Sequence, residues 1–483
     1  MTERSRRIAT ALTEAVGASS VLTQTPDLEG YTADWRGRYR GPAICVALPS
    51  TTEQVATVVR RCVAERVPVL AQGGNTSLCG GAVPDAAGEP PVIVNLQRMR
   101  AVRALDAANS SIVVEAGCVL AAVQETAAAA GRLYPISLGA EGSCQIGGNI
   151  ATNAGGTGVL RYGNTRENVL GLEVVLPDGS VWEGLSGLRK NNTGFDLKHL
   201  FIGAEGTLGI VTAACLKLHP LPTAHALAWC ALRSPEAALE LLALVQAAAG
   251  ARLSAFEMIN ALQLQLVLEQ LPDRRRPLAG EHAWHVLVEL ADTGAAGELQ
   301  DALQAVLQSA LERGIVVDGA LATSETQRAA FWQVRHSVSE ANKKAGVGLT
   351  TDCAVPISAV PRFIAEATRA VRGFVPDMEV LVVAHLGDGN AHFIPFLRFD
   401  AWERLPDREA TGAAIKRSVN DVAHALGGTF SAEHGIGRTL LAEMAAYKPA
   451  IELELMRSIK QALDPHNLFN PGRLLPARSA TAQ

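Results

Sequence analysis

Residues 67–81 read VPVLAQGGNTSLCGG. The run 67–71 has the length and apolar character of a buried strand, and it opens directly into glycines and small polar side chains. Such strand-to-loop junctions aim backbone N–H groups at phosphate oxygens. The loop is neither GxGxxG nor GxxxxGK followed by Ser or Thr, so the Rossmann dinucleotide fingerprint and the P-loop are both excluded. Asn75, Thr76 and Ser77 add polar side chains to it. A surface turn would explain one loop of this kind. A second stretch, LGAEGSCQIGGNIATNAGGTG at 138–158, has the same texture and contains seven glycines, more than a turn uses. Without Cβ atoms a backbone can lie against a flat, extended ligand. GAEGTLGIV at 203–211 adds a third such stretch, and together they outweigh the turn reading.

Outward from that loop, strand and helix alternate. Upstream, Thr51 and Gln54 are placed to form a capping box, and Val55, Val58, Val59, Cys62 and Val63 make a helical stripe. Downstream, VIVNL (92–96) and SIVVEAG (111–117) read as strands and 120–131 as a helix. After Pro220 and Pro222 the texture changes to alanine- and leucine-rich helices, such as 235–250 and 295–313, separated by apolar strands at 284–290, 378–385 and 392–399. The chain of 483 residues exceeds what one core usually supports. Three regions are expected: 1–220 around the glycine loops, 221–462 as a second domain, and 463–483 packing back on the first.

Composition narrows the function classes. With 48% hydrophobic and 19% charged residues the chain has globular balance, and a formal charge of −5 offers no basic footprint for nucleic acid. No run of apolar residues is long enough for a membrane span, and residues 1–20 lack a signal-peptide core. Eight scattered cysteines without a CxxC suit reduced thiols, and the cytoplasm is the expected location.

Chemistry concentrates in two later motifs. HLGDGNAH (385–392) sets two histidines about a Gly-Asp-Gly turn between strand-like runs. Directly opposed hairpin residues share a face with Cβ atoms about 4.5–5.5 Å apart, so both imidazoles are expected to reach one ion. SAEHGIG (431–437) supplies a carboxylate, Glu433, and a third imidazole, His434. Two histidines and one carboxylate leave a coordination position open, the arrangement of a catalytic site. Zinc is the first expectation, with Mn and Fe(II) chemically compatible. Any one of these histidines alone is better read as an ordinary buried residue.

QGGNTSLCGGAVP (72–84), GSCQIGGNIATNAGG (142–156), RYGNTRENVLGLEVVLPDG (161–179), LRKNNTGFDLKHLFIGAEGTLGIVT (188–212), HLGDGNAH, SAEHGIG and LDPHNLFNPGR (463–473) carry a resemblance. Over residues 31–475 the chain resembles the FAD-dependent D-2-hydroxyacid dehydrogenases of the vanillyl-alcohol-oxidase flavoprotein superfamily. The D-2-hydroxyglutarate dehydrogenases are most similar, with cytochrome- or quinone-linked D-lactate dehydrogenases close behind. The resemblance implies an α+β, two-domain flavoprotein: an FAD-binding domain of two α+β subdomains and a cap built on an antiparallel sheet. It implies pyrophosphate contacts at Gly73, Gly74, Asn75, Thr76 and Ser77. Further FAD contacts are implied at Gly80, Gly139, Gly142, Ser143, Gly147, Gly148, Ile150, Asn153, Ile210 and Asn470. Residues 71–81 contain no His and only Cys79, so dissociable FAD is expected.

By the same resemblance His385, His392 and Glu433 bind the metal and His434 is the catalytic base. The expected reaction takes a D-2-hydroxy acid to its 2-keto acid. The metal polarises the hydroxyl, His434 removes its proton, and hydride passes from C2 to flavin N5. Arg335 and Ser339 lie four apart beside a helical stripe of Phe331, Val334, Val338 and Ala341. The resemblance makes these two, with Asn390, substrate contacts. Thr350 and Ile394 stand where the 2-hydroxyglutarate enzymes have Lys and Asn, and they point toward a shorter acid such as D-lactate.

Two other classes compete: a metal-dependent hydrolase, for which HExxH is missing, and a non-catalytic flavin subunit like those of glycolate oxidase complexes. The sequence names no electron acceptor; an electron-transfer flavoprotein, a quinone and a cytochrome all remain open. A homodimer is expected on base rate alone.

Overall fold

The computed structural model of the chain describes residues 2–478. It divides into two compact units. One comprises the chain to Gly156, Tyr162–Leu221 and everything from Glu433 onward; the other comprises Thr157–Arg161 and Pro222–Ala432.

The first unit carries two main sheets and a two-stranded ribbon of Arg132–Leu133 with His219–Pro220. Strands β1 (Val21–Leu22), β2 (Cys45–Ala47), β3 (Val69–Gln72) and β4 (Val92–Asn95) lie in the order β1-β2-β4-β3. β4 runs parallel to both β2 and β3, and β1 closes the edge antiparallel to β2. Every residue of β4 is buried, which is why VIVN shows no alternation. A parallel step from β2 to β3 requires a crossover, supplied by helix α2 (Thr52–Ala64), which packs with α1 (Glu3–Val16) in one core. The Thr51 side chain caps α2 by accepting from the Gln54 N–H. The Gln54 carboxamide reaches back to the N–H of Ser50, one residue earlier than a capping box requires. Strands β5 (Val102–Asp106), β6 (Ser111–Glu115), β7 (Val169–Val175), β8 (Val181–Gly184) and β9 (Ile210–Lys217) form an antiparallel sheet in the order β5-β6-β9-β7-β8.

The last residues complete this unit. The Val69 N–H donates to the Leu468 carbonyl and the Asn470 N–H to the Val69 carbonyl, while Leu468 and Phe469 enter the core shared by α1 and α2. The second unit ends at Ala432 rather than at residue 462. Several polar contacts after Glu433 lie within the first unit. Ile436 and Gly437 donate their N–H groups to the Glu205 carboxylate, and Lys460 donates to the Thr207 carbonyl.

The second unit is built on an antiparallel sheet of eight strands. These are β10 (Ala224–Leu232), β11 (Leu253–Asn260), β12 (Trp284–Asp292), β13 (Val316–Leu321), β14 (Gly346–Gly348), β15 (Thr351–Ala354), β16 (Glu379–His385) and β17 (Asn390–Arg398). Their order is β13-β10-β12-β11-β16-β17-β14, with β15 also pairing with β17. Helices cover both faces, so the strands read as nearly unbroken apolar runs. In β10, Ala226, Ala228, Cys230 and Leu232 join one cluster; Leu227, Trp229 and Ala231 join the other. The second cluster includes Phe331, Val334, Val338 and Ala341, the stripe expected of a single helix. That helix is two, Glu325–His336 and Val338–Ala345, meeting at Ser337.

Candidate flavin cradle and metal centre

In the first unit the glycine loop after β3 lies against the turn before residues 146–151, a short helix. A Cβ on Gly74 would stand 2.2 Å from the Ser143 carbonyl oxygen, so the two backbones meet where no side chain fits. Gly139, Gly142 and Gly148 face open space, with nothing within 4 Å of a would-be Cβ. Between these loops the buried Gln145 Oε1 makes no hydrogen bond, and it lies 3.5 Å from the Cβ position of Gly73. A bare backbone beside an unsatisfied buried polar atom fits a polar ligand laid on it, as pyrophosphate and isoalloxazine would be.

The other residues expected to touch FAD fall into two groups. Gly73, Gly74, Asn75, Thr76, Ser77, Ser143, Gly147 and Gly148 belong to these two adjoining loops and the short helix. Ile150 and Ile210 are buried in the two cores of the unit. Asn75, Asn153 and Asn470 adopt positive φ, the conformation asparagine tolerates best after glycine. Their side chains hold the chain itself: Asn75 donates to the Ala33 carbonyl, Asn153 accepts from the Arg166 N–H, and Asn470 accepts from the Ala71 N–H. Gly80 turns beneath the Tyr39 ring. Cys79 is buried, its thiol donating to the carbonyls of His434 and Gly435. Glu205, missed by sequence reasoning, sits in GAEGTLG and caps the Gly435–Gly437 turn. Burial pushes its carboxyl up despite two backbone donors.

In the second unit the two histidines meet by a different register from the one expected. Four residues, 386–389, make the reversal, so His385 pairs with Asn390 and His392 with Val383. The imidazoles are diagonal rather than opposed, yet an offset of two keeps them on one face. Their ring centroids are 5.4 Å apart at 82°. The neighbouring strands contribute carboxylates on that face: Glu257 pairs with His385 across β11, and Asp352 with His392 across β15. Glu257 Oε1 lies 2.7 Å from His385 Nδ1, and Asp352 Oδ1 lies 3.6 Å from His392 Nδ1. Burial raises the Glu257 carboxyl, but the charges of His385 and Arg335 outweigh it and bring it down to about 2.

Asp352 and His392 belong to the second unit, whereas Glu433 and His434 open the last segment of the first. Glu433 and His434 directly follow Ala432, whose N–H donates to the Asp352 carbonyl at 2.9 Å and to Oδ2 at 3.1 Å. Carboxylate oxygens mixed with imidazole nitrogens form a donor set compatible with zinc, manganese or Fe(II). Asp352 and Glu257 were not anticipated; each is the one acid of its strand, TDCA and LSAFEMIN. The His385 ring adjoins that of His392.

The residues expected at the substrate are engaged with the protein to different degrees. Arg335 grips Glu257 Oε2 through Nε at 2.8 Å and Nη2 at 2.7 Å. Ser339, beyond the break at Ser337, is exposed. Asn390 is buried and donates to Asp352 Oδ1 and the Cys353 carbonyl. Thr350 is exposed, whereas Ile394 packs with Leu266, Ala345, Leu381 and Phe396.

Comparison with known proteins agrees with this architecture. Residues 221–474 match the C-terminal domain of FAD linked oxidases, and residues 43–184 match an FAD binding domain. The chain is 39% identical over 471 residues to a D-2-hydroxyglutarate dehydrogenase of Xanthomonas citri pv. viticola, covering 97% of each chain. It is 32% identical to a putative mitochondrial D-lactate dehydrogenase of Schizosaccharomyces pombe, covering 93% of this chain and 85% of that one. In fold it is similar to p-cresol methylhydroxylase solved with substrate bound, at a TM-score of 0.75 and 18% identity, covering 98% and 97% of the two chains.

Proposed function

Because the chain belongs to the FAD-linked oxidases, we infer that it oxidises a D-2-hydroxy acid, of the D-2-hydroxyglutarate type, to the 2-keto acid with FAD as the immediate acceptor. FAD would supply the hydride-acceptor chemistry for the C2 hydrogen, and a divalent cation, zinc in the first instance, would supply the Lewis acidity that lowers the pKa of the substrate hydroxyl. His385, His392 and Glu433 are proposed to hold that cation with one position left for substrate, and Asp352 stands ready beside His392. His434 is proposed to accept the hydroxyl proton on a ring nitrogen. Arg335 and Ser339 are proposed for the distal end of the acid, and Asn390 for its near side. Residues 73–77 and 139–148 are proposed to carry the flavin nucleotide without a covalent bond. Reoxidation falls to an electron-transfer flavoprotein, a quinone or a cytochrome. The eight free, buried thiols suit a reducing compartment, and the cytoplasm is the proposed location. No helix among the described residues is long and apolar enough to cross a membrane.

The reading rests above all on two imidazoles sharing one face of the β16–β17 hairpin with acids from both neighbouring strands. Anaerobic titration of the purified protein with a panel of D- and L-2-hydroxy acids tests it. Flavin absorbance should bleach with a D acid and persist with its L enantiomer. A colourless protein, or one that no 2-hydroxy acid reduces, would end the proposal.

A second reading, D-lactate, is favoured by Ile394. Its side chain fills an apolar cluster and offers nothing to a second carboxylate. Comparing D-2-hydroxyglutarate and D-lactate in the same titration decides between them.

A further inference from the structure

Two buried carboxylates on adjacent strands hold the helix Glu325–His336 against the sheet. Glu289 of β12 accepts from Arg328 at 3.0 Å and from the Trp332 indole at 3.1 Å. Glu257 of β11 accepts from Arg335, and its side chain is only 2% exposed. The two acids differ in one respect. Glu257 has a second oxygen on His385 Nδ1, whereas Glu289 touches neither histidine of the hairpin.

That difference has a chemical consequence. An imidazole has two nitrogens, and a carboxylate at Nδ1 keeps the proton there, which fixes the tautomer whose donor atom toward a cation is Nε2. The same contact fixes the ring plane, and a carboxylate makes the imidazole a stronger donor than a neutral partner would. On the other oxygen of this buried carboxylate Arg335 supplies a fixed positive charge through two nitrogens.

We propose that Glu257 is a positioning residue for cation binding at His385, and that Arg335 acts on the cation site through Glu257. The proposal rests on the reading of His385 as a cation ligand given above. It assigns to Arg335 a task that is carried out before any substrate arrives.

The test is cation affinity, measured without turnover. The FAD-loaded protein is stripped with a chelator, dialysed and titrated with zinc against a chromophoric competitor. Glu257→Gln should weaken zinc binding by about 10–100-fold, the usual cost of losing the partner of a ligating histidine. Arg335→Met should weaken it by less, and Glu289→Gln, which loosens the same helix, should leave it unchanged. Equal weakening in Glu289→Gln would show that only helix docking matters and would overturn the proposal. So would wild-type affinity in Glu257→Gln. If Glu257→Gln does not fold, Arg335→Met carries the test, and wild-type affinity there overturns the proposal. His385→Ala separates this from the broader reading. If wild type binds no zinc, or His385→Ala binds it undiminished, the assignment of His385 itself fails. If His385→Ala loses zinc and Glu257→Gln does not, only the positioning role fails.

Discussion

Glu257 Oε1 lies 2.7 Å from His385 Nδ1, joining two residues 128 positions apart in the sequence through one cross-strand pair. The contact fixes the orientation and tautomer of that ring. Replacing His385 or His392 with alanine should therefore cost more zinc affinity than the about 10–100-fold expected for loss of an outer partner. Metal content after dialysis gives the measurement, and chelator-treated wild type should lose activity in the same way. Full zinc occupancy in both alanine variants would remove these histidines from the site.

His434→Ala should lower the rate of flavin reduction by about 10²–10⁴-fold, the usual contribution of a general base. FAD content should stay at the wild-type level. Rapid mixing under anaerobic conditions separates the reduction step from reoxidation. An unchanged reduction rate would transfer the proton to another group.

Gly74 and Gly148 should fail differently. Alanine at 74 meets a carbonyl oxygen at 2.2 Å and should cost roughly 1–3 kcal/mol through overpacking, seen as a lower melting temperature of the FAD-free protein. Alanine at 148 meets nothing within 4 Å, so that protein should melt as wild type while retaining less FAD. Wild-type flavin occupancy in Gly148→Ala would show that its open side does not face the cofactor.

FAD should be dissociable. The thiol inside the 71–81 loop, Cys79, is buried against two carbonyls rather than presented to a ligand. Acid precipitation should leave the yellow colour in the supernatant. Colour in the pellet would mean a covalent bond.

The acid limb of stability should carry a signature of His285. Burial, then the charges of His282 and Arg276, hold its pKa down at about 4, and Nδ1 accepts from the Trp229 indole. The unfolded chain protonates near pH 6.5, so the folded state gains from this neutral ring above that pH. The gain is lost as pH falls toward 4, by roughly 3 kcal/mol in all. His285→Gln should flatten the fall in melting temperature over that window. An equally steep fall would assign the acid sensitivity to other groups.

What could be read without coordinates was local. The stripe Val55, Val58, Val59 and Cys62 identified its helix because periodicity and burial coincide within thirteen residues. The glycine loops stood out because seven glycines in 138–158 are more than a turn uses. Register was not legible. Nothing in HLGDGNAH states that four residues make the turn, and a reversal two residues longer would have set His385 opposite His392. Asp352 and Glu257 were hidden for the same reason: strand pairing, not sequence spacing, brings them to the imidazoles. The break at Ser337 was also missed, because the buried positions on both sides keep one helical stripe across it.

All eight cysteines are free and buried, and burial lifts the thiols of Cys45, Cys230 and Cys353 to about 12. The native surface is thus chemically quiet toward maleimides and iodoacetamide. One cysteine introduced at an exposed position could carry a spectroscopic label with little background. Slow uptake of reagent by the native eight would then serve as a clock for how often the core opens.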